Sequence, residues 1–391
     1  MKKLLLASIM CFSICSFGQW TTLNSGTTEV LNTVYFTDEN TGYAGGAGAT
    51  NATLLKTTDG GTTWTNLSIN TINEIYSMSF GSDNTGYVLT ESNELFKTTD
   101  AGTTWNNIIN FGGGQGHIKF LNDNIGFAVE GGETIHKTID GGNTWNNTQL
   151  SDFSSPTAIH FPSNQVGYIS SYAGKIAKTT DMGATWNIIS QPTSKPIRDI
   201  HFVTESTGFS VGGDGLSSLI IKTIDGGVNW SVQTTTPATQ SAHAAVYFTD
   251  ENTGYCGNSV IYNTINAGTN WNSMTNSRQI IDLHFPTQDI GYAVGYDGTI
   301  LKLDNNPLSV ENTLLSSKID IHPNPVSNLL NFNINESISI TKIKVFDVTG
   351  NLLIEINDNF KSIDMNKYAS GIYFVKVMTN DGVLTKKILK N

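Results

Sequence analysis

Cysteine is nearly absent from this chain of 391 residues, with two of its three thiols, Cys11 and Cys15, in an apolar N-terminal stretch and only Cys256 in the body. Once that stretch is removed, no intramolecular disulfide can form and no cysteine metal site can be built, so packing must hold the fold. Arginine is equally scarce, being confined to Arg198 and Arg278. Recognition by a cluster of bidentate guanidinium groups is therefore excluded, because lysine reproduces that geometry poorly. Charged residues make up only 14% of the chain. No apolar run in the body approaches the roughly 20 residues that cross a bilayer as a helix. A strand-to-helix phosphate loop, a serine nucleophile elbow and a zinc-binding HEXXH are also missing. Gly112-Gly113-Gly114 precedes a strand and reads as a flexible connection.

In place of charge the chain is rich in Thr, Asn, Ser and Gly, the composition of a β-rich extracellular protein. Met1-Lys2-Lys3, the apolar run Leu4 to Cys15 and the small residues around Ser16-Phe17-Gly18 read as a signal peptide over 1–18, with a mature start at Gln19. Charge is uneven: residues 19–317 carry 11 basic against 26 acidic side chains, whereas 318–391 carry 9 against 7. The acidic body should repel nucleic acid and anionic membranes, so no nucleic-acid partner is expected. Solubility is the simpler reading of that acidity.

The pattern Lys-Thr-X-Asp-X-Gly-X-X-Trp, with variants, ends at Trp64, Trp105, Trp145, Trp186, Trp230 and Trp271, spaced by 41, 40, 41, 44 and 41 residues. Its acidic positions are Asp59, Asp100, Asp140, Asp181, Asp225 and the variant Asn266. Asp-X-Gly makes a tight turn in which the carboxylate accepts backbone N–H groups and Gly takes a positive φ, so these residues read as structural. A period of this length, filled with short apolar runs and Gly-rich turns, predicts four-stranded propeller blades. A second motif, an aromatic followed by a turn and Gly-aromatic, occurs seven times, from Phe36/Gly42-Tyr43 to Phe285/Gly291-Tyr292. The last repeat, Ile300 to Asp304, lacks its Trp strand, while Trp20-Thr21-Thr22-Leu23 stands unpaired upstream and resembles Trp64-Thr65-Asn66-Leu67. The sequence therefore predicts an all-β protein whose N-terminal strand completes a seven-bladed β-propeller over 19–304.

In such a ring the box turns share one face, and the connections between blades form the other, where a ligand is expected. There the topology places His117, Arg198, Asp199, His243, Arg278 and Asp282, together with Glu91, Glu130, Glu133, Tyr172, Asp214, Tyr296 and Asp297 on shorter turns. His117, Arg198, Asp199, Arg278, Asp282, Glu91, Glu130, Tyr172 and Tyr296 are the candidate ligand-binding residues, against the plainer reading of solvated loops. Glu91 and Glu130, in neighbouring blades, are the pair to test for acid/base chemistry, although spacing does not fix their separation. The residues just before the strand-ending aromatics are Tyr35, Ser79, Lys119, His160, His201, Tyr247 and His284. Three histidines at one position raise the question of a metal. Only His160 and His201 are in adjacent blades, so packing against a neighbouring blade is preferred, and no metal or cofactor is expected. Asp38 and Asp250 read as turn residues rather than calcium ligands.

After Asp304 the period stops, 305–317 reads as a linker, and 318–391 alternates as a small antiparallel β-sandwich. Its motifs are Ile321-His322-Pro323-Asn324-Pro325-Val326-Ser327, Val345 to Gly350, Ser370-Gly371-Ile372-Tyr373-Phe374-Val375 and a basic C-terminal strand. Together they resemble the C-terminal type A sorting domain of type IX secretion cargo in Bacteroidota, with Pro323, Asn324, Pro325, Gly350 and Gly371 as the motif residues. The resemblance implies export through the periplasm, the type IX machinery as partner, and surface attachment or release after removal of the domain.

The boxes resemble the Asp-box, or bacterial neuraminidase, repeats. The fuller unit is similar to propellers of the photosystem II assembly factor family over residues 20–304. This resemblance implies fold more than function, since the blade serves sialidases, other glycosidases and binding proteins. Two arginines supply neither the arginine triad of a sialidase nor an arginine-rich partner surface. The resulting expectation is a secreted or surface-held, monomeric module that binds an extracellular glycan or protein without catalysis. A glycoside hydrolase is the alternative, and no transmembrane span is expected in the mature chain.

Overall fold

The computed structural model describes residues 20–190, 193–214, 217–233, 242–274, 278–305, 318–335, 338–347, 352–358, 360–379 and 382–391. The expected signal peptide, nearly all of the linker and Gly350 lie outside these residues.

Each repeat folds as one antiparallel sheet. In blade 1 the strands run outward as Leu31–Phe36, Gly42–Gly46, Thr53–Thr57 and Thr65–Asn66. The first three are mostly buried on both faces, which is why they read as near-continuous apolar runs, while the outermost strand is exposed and polar. Seven four-stranded sheets follow this plan. Their innermost strands are Leu31–Phe36, Ile75–Phe80, His117–Phe120, Pro156–His160, Ile197–Phe202, Ala245–Phe248 and Ile280–His284, and each touches the next around a closed ring. Blade 7 takes its outermost strand, Thr21–Leu23, from the start of the chain, with Thr21 opposite Lys302 and Leu23 opposite Ile300. Closure by this strand removes the free sheet edge that an open array would leave.

Neighbouring blades meet through an aromatic trio. Phe36 stacks on Tyr292 of blade 7 at 3.6 Å and 9°, and Trp64 presents its edge to Phe36 at 6.0 Å and 89°. The invariant geometry explains the Gly of the second motif, since a Cβ on Gly42 would lie 2.4 Å from the Phe36 ring. Trp20 fills the equivalent place in blade 7, edge-on to Phe285 at 6.1 Å and 84°.

The box is a hydrogen-bonded knot. Asp59 Oδ1 accepts from the Thr63 N–H at 2.8 Å and the Thr57 hydroxyl at 2.8 Å, and Oδ2 accepts from the Thr63 hydroxyl at 2.6 Å. The same bonds hold the Asp100, Asp140 and Asp181 carboxyls down at about 2. Asn266 keeps the acceptor role through its carbonyl, with the Asn270 N–H at 2.9 Å. In every blade but the sixth, the lysine before this turn reaches the next blade's box, as in Lys56 Nζ to Ala101 O at 2.6 Å and Lys302 Nζ to Gly60 O at 3.0 Å.

The C-terminal unit, from Asp304, has its own core. Strands Ile319–His322, Leu329–Ile334 and Ser362–Asp364 form one sheet, and Leu352–Ile356, Ile340–Phe346, Gly371–Thr379 and Gly382–Lys390 form the other. Ile321, Leu330, Val345, Val375 and Ile388 fill the space that the two sheets share. Within the sorting motif, between Pro323 and Pro325, Asn324 is tied to the last strand. Its Oδ1 accepts from the Leu389 N–H at 2.8 Å and its Nδ2 donates to Lys387 O at 2.9 Å. Among the described residues no helix is long and apolar enough to cross a membrane.

Candidate functional site: the central channel and its mouth

The seven inner strands enclose a channel whose cavity measures about 740 Å³. Strand alternation turns every second residue into it. Nearest the box face lie Tyr35, Lys119, His160, His201, Tyr247 and His284, and one step further from it lie Thr33, Ser77, His117, Asp199 and Asp282. At the mouth opposite the boxes the register shifts by one residue in five inner strands, at Asn32, Tyr76, Thr157, Arg198 and Ile281. All five of these bulged residues line the cavity. A bulge re-aims a side chain that strict alternation would send elsewhere, and here it delivers Tyr76 and Arg198 to the mouth.

An innermost strand has one edge with no ladder partner, so its N–H and C=O groups need another source of hydrogen bonds. Side chains of the preceding blade supply them. Asp199 Oδ2 accepts from the Val246 N–H at 2.8 Å and Asp282 Oδ2 from the Val34 N–H at 2.9 Å. Ser77 and Ser79 accept from Ile118 and Phe120 at 3.1 and 2.9 Å. His201 and His284 accept at Nδ1 from Phe248 and Phe36 at 3.4 and 3.3 Å. Tyr35 and Tyr247 instead donate to the carbonyls of Phe80 and Phe285 at 3.3 and 3.1 Å, and His160 Nε2 meets the Phe202 carbonyl at 3.0 Å. Blades that accept alternate with blades that donate over most of the ring, and among the described residues Lys119 does neither.

Burial sets the electrostatics. It pushes Asp199 up to about 7 and Asp282 up to about 6, and the Asp282 charge adds to the rise at Asp199. It lowers His160 and His284 to about 3 and His117 to about 4, keeping these imidazoles neutral. Rings pack along this tier, with His160 and His201 4.4 Å apart and Tyr35 and His284 4.6 Å apart. Among the described residues no group of three or more His, Cys, Asp or Glu is arranged to hold a metal.

The sequence-predicted residues divide into three groups. At the mouth, the Arg198 guanidinium lies 6.0 Å over the Tyr172 ring, which is 53% exposed. The charges of Arg198 and Glu91 and the hydroxyl of Tyr296 all act on Tyr76, whose phenol burial pushes up. In the wall stand His117, edge-on to Tyr76 at 5.9 Å, and the two amide-bound carboxylates Asp199 and Asp282. Outside the lining are Glu91, the 47% exposed Tyr296, Arg278, which donates to Thr299 Oγ1 at 3.4 Å, and Glu130, 3.6 Å from His136. Sequence reasoning missed Tyr76 and Thr157, because no spacing marks a bulge. It placed Asp38 and Asp250 in turns, where each accepts two backbone N–H groups.

Residues 320–391 match the secretion system C-terminal sorting domain. This domain marks the chain as cargo of the type IX secretion machinery, bound for the cell surface or the outside. Among curated proteins, none matches the sequence. Solved structures share the fold. The structure described as YCF48 bound to D1 peptide is 19% identical, with a TM-score of 0.63 over 74% of this chain and 96% of that one. PorZ, described as an essential bacterial surface component of the type-IX secretion system of Porphyromonas gingivalis, is 14% identical, with a TM-score of 0.56 over 94% of this chain and 60% of that one. The GH74 xyloglucanase of Xanthomonas campestris is 10% identical, with a TM-score of 0.60 over 92% and 59%. At such identities the likeness extends to the fold alone. The model of the photosynthesis system II assembly factor YCF48 matches residues 13–112 and 179–280, more than half of the sequence, so the chain belongs to that family.

Proposed function

We propose that the propeller is a noncatalytic binding module that takes an extracellular glycan or protein segment at the channel mouth opposite the boxes. One observation carries this reading: Arg198, re-aimed by its bulge, sits 6.0 Å over the exposed Tyr172 at the entrance of a cavity of about 740 Å³. A guanidinium on an aromatic face offers a stacking surface and fixed donors together, which suits a sugar ring or a peptide. The peptide bound by a YCF48 of the same fold supports the second kind of ligand. His117, Asp199, Asp282, Glu91 and Tyr296 shape the surroundings, and Tyr76 joins them. The carboxylates of the wall already accept backbone amides, which suits them to structure better than to proton transfer.

Glycan and peptide arrays probed with the secreted chain test the reading. Binding without chain shortening that falls in Arg198→Gln supports it, and binding indifferent to that change removes the mouth from consideration. The hydrolase alternative draws on the likeness to the xyloglucanase fold. It requires new reducing ends that disappear in Glu91→Gln or Glu130→Gln. The domain boundaries belong to the same proposal: 19–304 for the propeller, 305–317 for the linker and 318–391 for the sorting domain. A secreted product that starts at Gln19 and ends in the linker supports them, whereas unchanged export without 318–391 counts against them.

A further inference from the structure

The box-side end of the channel carries donors that no described residue accepts from. Lys119 stands in the channel wall and has no hydrogen-bond or ion-pair partner among the described residues. His201 and His284 accept a backbone N–H at Nδ1, which fixes the proton of each neutral ring on Nε2. Those two Nε2–H groups also lack a partner among the described residues. His160 differs, because its Nε2 is taken by the Phe202 carbonyl. Lys119, His201 and His284 stand at one tier of the channel wall, opposite Phe127, Phe209 and Tyr292 in their own blades, and the Lys119 charge adds to the burial that lowers His160, His201 and His284.

We propose that Lys119 Nζ, His201 Nε2–H and His284 Nε2–H form a binding site for a small anion, a carboxylate group or a halide, inside the box-side end of the channel. A half-buried ammonium in the channel wall, without a counter-charge among the described residues, is held at a cost. Asp199 and Asp282 do not relieve it: both bind backbone amides. Neither acts on Lys119, whose amine is lowered by burial alone. An anion would supply the missing charge and accept three hydrogen bonds, two of them from rings whose orientation is already set by the backbone. The site is separate from the Arg198 mouth, so either can fail alone.

The test is imidazole nitrogen NMR of the full chain, titrated separately with sodium acetate and sodium chloride. His322, in the C-terminal unit, serves as an internal control. The Nε2 resonances of His201 and His284 are expected to shift saturably while His322 does not. Lys119→Met should raise the midpoint at least about tenfold, the usual worth of a charge-assisted bond. Acetate alone acting would identify a carboxylate site, and chloride acting as well would identify a general anion site; both support the proposal. The absence of a saturable shift, or an unchanged midpoint in Lys119→Met, overturns it. If that variant does not fold, His284→Asn decides, since the amide oxygen can still accept the Phe36 N–H while the Nε2–H donor is gone. An unchanged midpoint there also overturns the proposal.

Discussion

Six blades carry a box between their outer strands and the seventh does not, and the ring adjusts to that difference on both sides. In the boxed blades the chain turns back on itself, so Asp, Thr and Gly close the turn and Trp follows within the same repeat. In blade 7 the outer strand arrives from the far end of the chain, and Trp20 must pack without a box behind it. It still meets Phe285 and Tyr255 edge-on, at 6.1 and 6.2 Å. The preceding blade changes too. Every other box lysine reaches a carbonyl in the next blade's box, but blade 7 has no box to reach, and in blade 6 the lysine position holds Asn263. That side chain is 1% exposed, and both of its polar atoms lack partners among the described residues. The contrast shows which parts of the repeat act within a blade and which act between blades: the Asp knot is local, and the lysine is a link.

The comparison is sharpened most by Trp20→Ala. Losing a buried Trp costs ~3–5 kcal/mol, and here the same residue anchors the strand that closes the ring. Trp64→Ala removes an equivalent ring that is only half-buried and whose strand is held by a local turn. Urea unfolding should therefore show the larger loss for Trp20→Ala. Equal losses would mean that the closing strand carries no special weight.

Next in size is an inversion of sign between blades. Asn263→Leu replaces two unpaired buried polar atoms by apolar ones of similar volume and is expected to stabilise by ~1–3 kcal/mol. Lys56→Met removes a link of 2.6 Å and is expected to destabilise by ~1 kcal/mol, with the Tyr43 hydroxyl still on the same carbonyl at 2.8 Å. Thermal unfolding of the two variants should move in opposite directions. A destabilised Asn263→Leu would show that the asparagine has a partner that its surroundings do not reveal.

Much of this architecture is legible in the sequence because the period, the turn chemistry and the orphan Trp20 motif are one-dimensional signals. The channel is not. Its partners lie in different repeats, as with Asp282 and Val34, so no local spacing relates them. The row of residues before the strand-ending aromatics could be written down from sequence. What could not be seen is that Tyr35 and Tyr247 donate, that His201 and His284 accept, and that Lys119 is left over. The mouth was harder still, because the bulges that aim Tyr76 and Arg198 insert one residue without a Gly or Pro to announce it.

The smallest effect separates the boxed blades from the boxless one by pH. Asp100 belongs to a box, and its carboxyl is held at about 2 by the Thr104 N–H and hydroxyl. A depressed folded value means stability that is present above the unfolded value and lost as pH falls through about 2. Asp282 belongs to blade 7, where burial raises its carboxyl to about 6. Here the sign reverses: the folded state holds a proton that the unfolded chain has already released. The fold therefore loses stability as pH rises from about 4, the unfolded value, through about 6. Comparing each Asp→Asn variant with the parent across pH isolates the two contributions. Asp100→Asn should be less stable than the parent at neutral pH, with the gap closing in strong acid. Asp282→Asn should gain on the parent as pH rises through that window, because Asn can still accept the Val34 N–H and carries no charge to desolvate. If the two difference curves slope the same way, the carboxylates of box and channel do not play the opposed electrostatic roles that their surroundings assign them.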